Sequence, residues 1–311
     1  MLRLTIRKLL QGLVMLFAIS LITFALLSSA GGDALSGLRE NPQVSESTIE
    51  ELRKVYGLDR PFLERYAAWA TNAIRGDLGE SLSFRVDVGS LVWLRFKNTF
   101  LMGLLAIAIA VATAFLLAIF VTRYPNRLLD RSVEGLIFLT ASTPRMVLAL
   151  IALVISLRFS LPTGGSGGTA TFSLIAGAIV LSVPLVSLML AQLTGALKEV
   201  MAEDYIRLAR AKGLSEWAVI TRHALRPALD PFLAIAGLSL GALLGGSVIV
   251  ETVLGWPGIG ALMVTAVKAR DVPLVMGVLL VASTAVWFGN TVAEMLQAAN
   301  DPRIGAGDRY R

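Results

Sequence analysis

Cysteine is absent from the 311 residues, and His223 is the only histidine. Disulfides, thiol catalysis, Cys-ligated zinc and sites built from several histidines are thereby excluded, while the redox compartment stays open. Charge is scarce as well: Asp, Glu, Lys and Arg make up 16% of the chain, against about 25% in soluble domains. No G-x-x-x-x-G-K-[ST] phosphate loop is present, so nothing in the sequence points to nucleotide hydrolysis by this chain. Short-period repeats and low-complexity tracts are also missing. What fills the sequence is apolar: 55% of residues are hydrophobic and the mean hydropathy is +0.72. That composition describes a polytopic membrane protein, not two globular domains. The net charge of +6 then reads as surplus Lys and Arg in cytoplasmic loops, and no nucleic-acid partner is expected.

Taken in order, residues 1–30 hold the first apolar run. Arg3, Arg7 and Lys8 precede a stretch from Leu9 to Leu27. It is longer than the ~7–15 residues of a signal-peptide core and near the length that spans ~30 Å of hydrocarbon. A retained helix with a cytoplasmic N-terminus is favoured over a cleaved signal ending near Ser28-Ser29-Ala30. Residues 31–98 form an extracytoplasmic amphipathic insert with nine Lys/Arg against ten Asp/Glu. Ser45 or Ser47 can cap a helix carrying Glu50 and Glu51 in its first turns, with Leu52, Val55 and Tyr56 on one face and Gly57 at its end. A second helix follows Pro61, with Phe62, Tyr66, Trp69 and Ala73 at helical spacing. The pair reads as a cap on the membrane surface, substrate contact being the alternative.

Residues 99–298 form a five-helix core, with spans expected at 99–122, 133–157, 172–193 (bent at Pro184), 232–250 and 273–296. Arg123, Arg127 and Arg131 mark a cytoplasmic loop. The uncharged Gly-rich stretch 161–171 belongs outside, and 299–311 is a cytoplasmic tail. Six spans with both termini in the cytoplasm are self-consistent. Two charges near the spans are candidate pathway residues. Arg145 either lines a pathway or serves structure by snorkelling or pairing. Glu251 either meets substrate or is an ordinary interfacial charge. Gly237, Gly241 and Gly245 place a small-residue stripe on the fifth span, read as a packing face with a substrate path as the alternative.

The most polar part of the second half is 203–231. Between Lys198 and Arg226 six Lys/Arg face four Asp/Glu, which places the segment in the cytoplasm. Asp204 to Lys212 reads as a helix closed by Gly213 in a left-handed C-terminal position. Ser215 caps the next helix, with Glu216 in its favourable first turn, and Pro227 prevents much continuation. The candidate docking surface for a soluble partner comprises Glu203, Asp204, Tyr205, Arg207, Ala209, Arg210, Ala211, Lys212, Gly213, Leu214 and Ser215. Small Ala209 and Ala211 would let a partner's groove come close. A DNA-reading helix-turn-helix is disfavoured because the spacer is too short to free it from the bilayer. An amphipathic connector lying on the lipid surface remains the alternative.

The run Asp204-Tyr205-Ile206-Arg207-Leu208-Ala209-Arg210-Ala211-Lys212-Gly213-Leu214-Ser215, followed by Arg222-His223-Ala224-Leu225-Arg226, resembles the cytoplasmic coupling loop (203–226) of ABC-importer permeases. The general pattern, E-A-A-x-x-x-G, nine residues, then I-x-L-P, fits poorly. Arg207, Leu208 and Ala209 fall at E-A-A, His223 at I, Leu225 at L and Arg226 at P. The dipeptide/oligopeptide branch fits well. Gly57-Leu58-Asp59-Arg60-Pro61, Gly76-Asp77-Leu78-Gly79, Glu251-Thr252-Val253, Trp256-Pro257-Gly258 and Asp301-Pro302-Arg303 resemble its B-type subunit. Two places depart from it: Gly31-Gly32-Asp33-Ala34, where Pro-Gly-Asp-Pro is usual, and Arg145, where small or apolar residues are common. The resemblance implies an all-α membrane protein of the type I ABC importer permease fold in a bacterial or archaeal cytoplasmic membrane. It implies a homologous second permease, two cytoplasmic ATPases and an extracytoplasmic substrate-binding protein as partners. It implies no cofactor on this chain, with ATP and Mg held by the ATPases, and di- or oligopeptides as cargo, although relatives import nickel chelates or glutathione. A stand-alone secondary transporter or channel is the alternative, weakened by the few ionisable residues in the spans.

Overall fold

The computed structural model describes residues 2–29, 45–47, 50–51, 59–161, 164 and 170–300. The first insert helix, the Gly31 to Ala34 departure, the 161–171 loop and the Asp301-Pro302-Arg303 tail lie wholly or largely outside them. Among the described residues the regular structure is helical apart from one isolated bridge between Glu80 and Asp87. Four helices are long and apolar enough to cross a membrane, at Ile6–Ser29, Val88–Arg123, Thr171–Met201 and Val272–Met295. Two broken pairs, within 127–158 and 245–268, raise the number to six if each pair is one span.

The chain divides into two compact units. The first comprises 1–99 and 257–287. Its α1 (Leu2–Ser29) and α2 (Phe62–Ile74) pack through the residues whose spacing predicts α2. Phe24 stacks edge-on with Phe62 at 5.4 Å and Tyr66 at 5.6 Å, and the Tyr66 hydroxyl shares a 2.9 Å hydrogen bond with Ser20. Lower down α1, a Cβ added at Gly12 would stand 2.4 Å from the Trp287 ring. Trp287 Nε1 donates to the Lys8 carbonyl at 3.2 Å. Only glycine lets the indole lie against this backbone, so α1 is an integral helix of the unit.

Helix α3 (Val88–Arg123) starts eleven residues before the expected span because Asp87 caps it, its Oδ2 accepting from Ser90 N at 2.6 Å. Thirty-six residues make about 54 Å of helix, well beyond the hydrocarbon thickness. In the first unit its Val88 and Val92 are buried with Ile259, Leu262, Leu274 and Val278. Asp271, fully buried, closes the same region. Its Oδ2 accepts from Ser81 Oγ at 2.6 Å and Ser83 N at 2.9 Å, and its Oδ1 accepts from Leu274 N at 3.2 Å. One carboxylate, between α9 (Ile259–Lys268) and α10 (Val272–Asn300), thus caps the start of α10 and pins the 81–84 turn.

The second unit comprises 100–256 and 288–311. Within α3, Met102, Ala106, Ala110, Ala114 and Ala118 recur every four residues and are all fully buried. These side chains form part of the unit's core. The helix expected as the fifth span packs closely on its neighbours, although at Gly245, one glycine of its expected stripe, an added Cβ would meet nothing within 4 Å. The expected third span, 133–157, is not one helix. It breaks into α4 (Arg127–Ser142) and α5 (Arg145–Arg158), bent by 94°. Pro144 forces Thr143 into an extended conformation, φ −86°, ψ 118°, the sterically preferred state before proline. Pro184 does not break α6 (Ala170–Met201), which continues through it.

Candidate functional site

The polar segment folds as expected up to its turn. Helix α7 (Asp204–Ala211) ends in a Schellman arrangement. Gly213 has φ +80°, Gly213 N donates to the Arg210 carbonyl at 2.9 Å, and Leu214 N donates to Ala209 at 3.4 Å. Those two bonds satisfy carbonyls that the helix end leaves open, and only a left-handed residue can make both. Ser215 then caps a turn of helix (Glu216–Ala218), its Oγ accepting from Ala218 N at 3.3 Å. Across the turn, Arg210 Nε donates to Glu216 Oε1 at 2.8 Å, and Arg210 Nη2 to Oε2 at 3.3 Å.

Pro227 does not stop the second helix. A π-helical turn (Val219–Ala224) leads directly into α8 (Leu225–Leu254), which runs through both Pro227 and Pro231. The Leu225 N–H reaches back five residues to the Ile220 carbonyl. The wider turn gives room to the proline ring, which in α-register would press on the carbonyl four residues back.

The two sides of this segment differ in kind. Ile206 and Ala209 face inward with Val219 and Ala224 and belong to the unit's core. Ala209 is only 6% exposed, so its small size serves internal packing; Ala211 is the small residue on the outer side. Glu203, Asp204, Tyr205, Arg207, Lys212, Gly213, Leu214 and Ser215 are also exposed. Arg207 pairs with Asp204 at 3.1 Å, both in water and worth little. Partial burial, and then the Glu203 carboxylate, push the Tyr205 phenol above its ordinary pKa. Two residues outside the sequence-based set share the outer surface: Leu208, 57% exposed, and Trp217, 59% exposed. The available signal was the placement of large apolar side chains within the most polar stretch of the second half of the chain. Tyr205, Leu208, Leu214 and Trp217 are thus four large exposed side chains within a charged segment, the mixture found at protein-docking surfaces.

The two pathway candidates meet α8 at different positions, Gly246 and residue 251. Glu251 is fully buried in the last turn of α8, where its carbonyl accepts the Trp256 N–H at 2.8 Å. Arg145 is the first residue of α5 and lies against α8 at Gly246. Among the described residues no group of three His, Cys, Asp or Glu side chains could hold a metal ion.

Comparison with known proteins gives one direction. Residues 110–306 match the profile of the binding-protein-dependent transport system inner membrane component, and residues 1–83 that of its N-terminal membrane component. A provisionally named peptide permease protein of Brucella suis biovar 1 is 35% identical over 98% of this chain and 99% of its own. The oligopeptide transport system permease protein AppB of Bacillus subtilis is 32% identical over 96% and 98%. The glutathione transport system permease protein GsiC of Escherichia coli K12 is 34% identical over 98% and 99%. Among solved structures, an inward-facing MetNI methionine ABC transporter chain aligns with TM-score 0.54 at 21% identity, covering 67% of this chain and 94% of that one. That likeness is one of fold.

Proposed function

Because the chain belongs to the binding-protein-dependent transport system inner membrane component family, we propose that it is the B-type permease subunit of an ATP-driven importer of di- or oligopeptides. It would sit in a bacterial inner membrane with six spans and both termini in the cytoplasm. Its partners would be a homologous permease, two cytoplasmic ATPases that hold ATP and Mg, and an extracytoplasmic binding protein. The single observation that carries the coupling role is the two-sided segment 204–217. Its inner face is locked into the unit's core through Ile206 and Ala209, and its outer face presents Tyr205, Leu208, Leu214 and Trp217.

Such a segment can pass force. An ATPase that closes on the outer face moves α7, and α7 cannot move without the core it is packed into. The contacts must differ between the open and closed ATPase, since equal contacts in both states would shift no equilibrium. The peptide cargo rests on the names of relatives that span nearly the whole chain. The test is reconstitution of the permease pair with its ATPases and binding protein in vesicles. ATP-dependent accumulation of peptide is expected. Accumulation by this chain alone, without an ATPase, would replace the reading with a secondary transporter or channel.

A further inference from the structure

We propose that Arg145 reads a carboxylate in the translocation path, its ligand being the free C-terminal carboxylate of a peptide; this rests on the importer reading above. Arg145 opens α5 immediately after the Pro144 break, and its side chain is half-buried within the second unit. The guanidinium lies flat against the backbone of α8. A Cβ added at Gly246 would stand 2.3 Å from Nη1, 2.8 Å from Cζ and 3.2 Å from Nε. The seat therefore exists only because residue 246 has no side chain. Gly245, its neighbour, has nothing within 4 Å of the same position, so the glycine requirement belongs to the guanidinium and is not general to this stretch.

Two structural explanations for the cation fail on the geometry. It is not half of an internal ion pair: among the described residues neither a hydrogen bond nor a salt bridge reaches Arg145. It does not stabilise its helix, because a cation in the first turn opposes the helix dipole. An unpaired charge held among apolar helices is costly and is retained where a ligand or water path meets it. The group itself fits one ligand chemistry well. Its planar fork offers parallel N–H donors at the spacing of carboxylate oxygens, and the flat seat on Gly246 holds that fork in one orientation.

The experiment uses the complete importer in vesicles, with Ala-based di- to pentapeptides supplied as free acids and as C-terminal amides. Because the binding protein is the same throughout, any change in the free-acid to amide uptake ratio belongs to this chain. Arg145→Gln should lower that ratio by about 10- to 100-fold, the usual worth of a charge-assisted hydrogen bond. Arg145→Lys should retain part of it, and Gly246→Ala, which pushes the guanidinium off its seat, should reproduce the loss. If the wild type excludes every amide, Arg145→Gln should still lower free-acid uptake about tenfold in assemblies of normal subunit composition. An unchanged ratio, or equal loss for acids and amides, overturns the proposal. So does loss of co-purifying phosphatidylglycerol from Arg145→Gln with peptide uptake intact, which would assign the cation to a lipid phosphate. Failure of the wild type to accumulate any peptide would instead remove the importer reading, and this inference with it.

Discussion

Arg210 and Glu216 close a charged clasp across the Gly213 turn, with Nε to Oε1 at 2.8 Å and Nη2 to Oε2 at 3.3 Å. Their side chains are 41% and 39% exposed. In so much water the pair is worth at most about 1 kcal/mol, too little to matter for overall stability. Its effect is geometric: it sets the angle between α7 and the turn that leads into α8. Glu216→Gln should leave the unfolding midpoint nearly unchanged and lower peptide taken up per ATP hydrolysed. The swap Arg210→Glu with Glu216→Arg should restore part of that ratio. A double swap no better than either single change would remove the clasp from the coupling route.

Gly213 tests the turn itself. At φ +80° an alanine costs about 1–2 kcal/mol. Proline cannot adopt that angle and would also delete the N–H donated to Arg210. Gly213→Ala should reduce uptake severalfold, and Gly213→Pro should abolish it with the subunit still inserted in the membrane. Normal uptake by Gly213→Pro would show that the turn transmits nothing.

The inner and outer faces of α7 should respond differently to bulk. Ala209→Trp forces a large ring into a filled core and should cost about 1–3 kcal/mol or more, seen as poor accumulation in the membrane. Ala211→Trp and Trp217→Asp act on the outer surface. They should leave accumulation normal and weaken co-purification of the ATPases. Equal behaviour of the two sets would contradict the two-sided description of the segment.

In the first unit, Asp271→Ala would leave the Ser81 hydroxyl and the Ser83 and Leu274 amides without their acceptor. Hydrogen bonds to a charged group contribute about 1.5–3 kcal/mol each and are not additive. The expected outcome is an unfolding midpoint lower by several degrees, with protease cutting newly appearing near 81–84. Asp271→Asn, which keeps one acceptor, should lie between.

Gly12→Leu should collide with Trp287, whose ring lies 2.4 Å from the added Cβ. Accumulation in the membrane should fall. The second change Trp287→Ala should recover part of it, although Trp287→Ala alone is also destabilising. Absence of recovery would mean that the α1 defect has another cause.

How legible each part of the molecule was in the sequence depends on the range of the interactions that shape it. The apolar runs, the polar segment 203–231, the Gly213 turn and the Ser215 cap depend on neighbours within a few residues. Composition and spacing report those directly. Helix α2 was legible because Phe62, Tyr66 and Trp69 follow the helical period. The early start of α3 was not, because a mixed polar and apolar stretch from 88 to 98 hides a helix whose buried face is only Val88 and Val92. The Pro227 stop failed because a π-turn upstream absorbed the ring, and no local rule counts that extra residue.

By itself the sequence determined the class, a multi-span helical chain, because bilayer thickness and backbone satisfaction leave a chain this apolar few alternatives; the permease family was carried by the resemblance of its motifs. Only the tertiary structure decided which face each residue takes. Ala209 turned inward and Ala211 outward, Leu208 and Trp217 proved exposed, Glu251 was buried, and Arg145 came to rest on Gly246. Those outcomes depend on what packs against each helix. Arg145 and Gly246 lie on different helices, far apart in the chain, and no periodicity within either helix records that they meet.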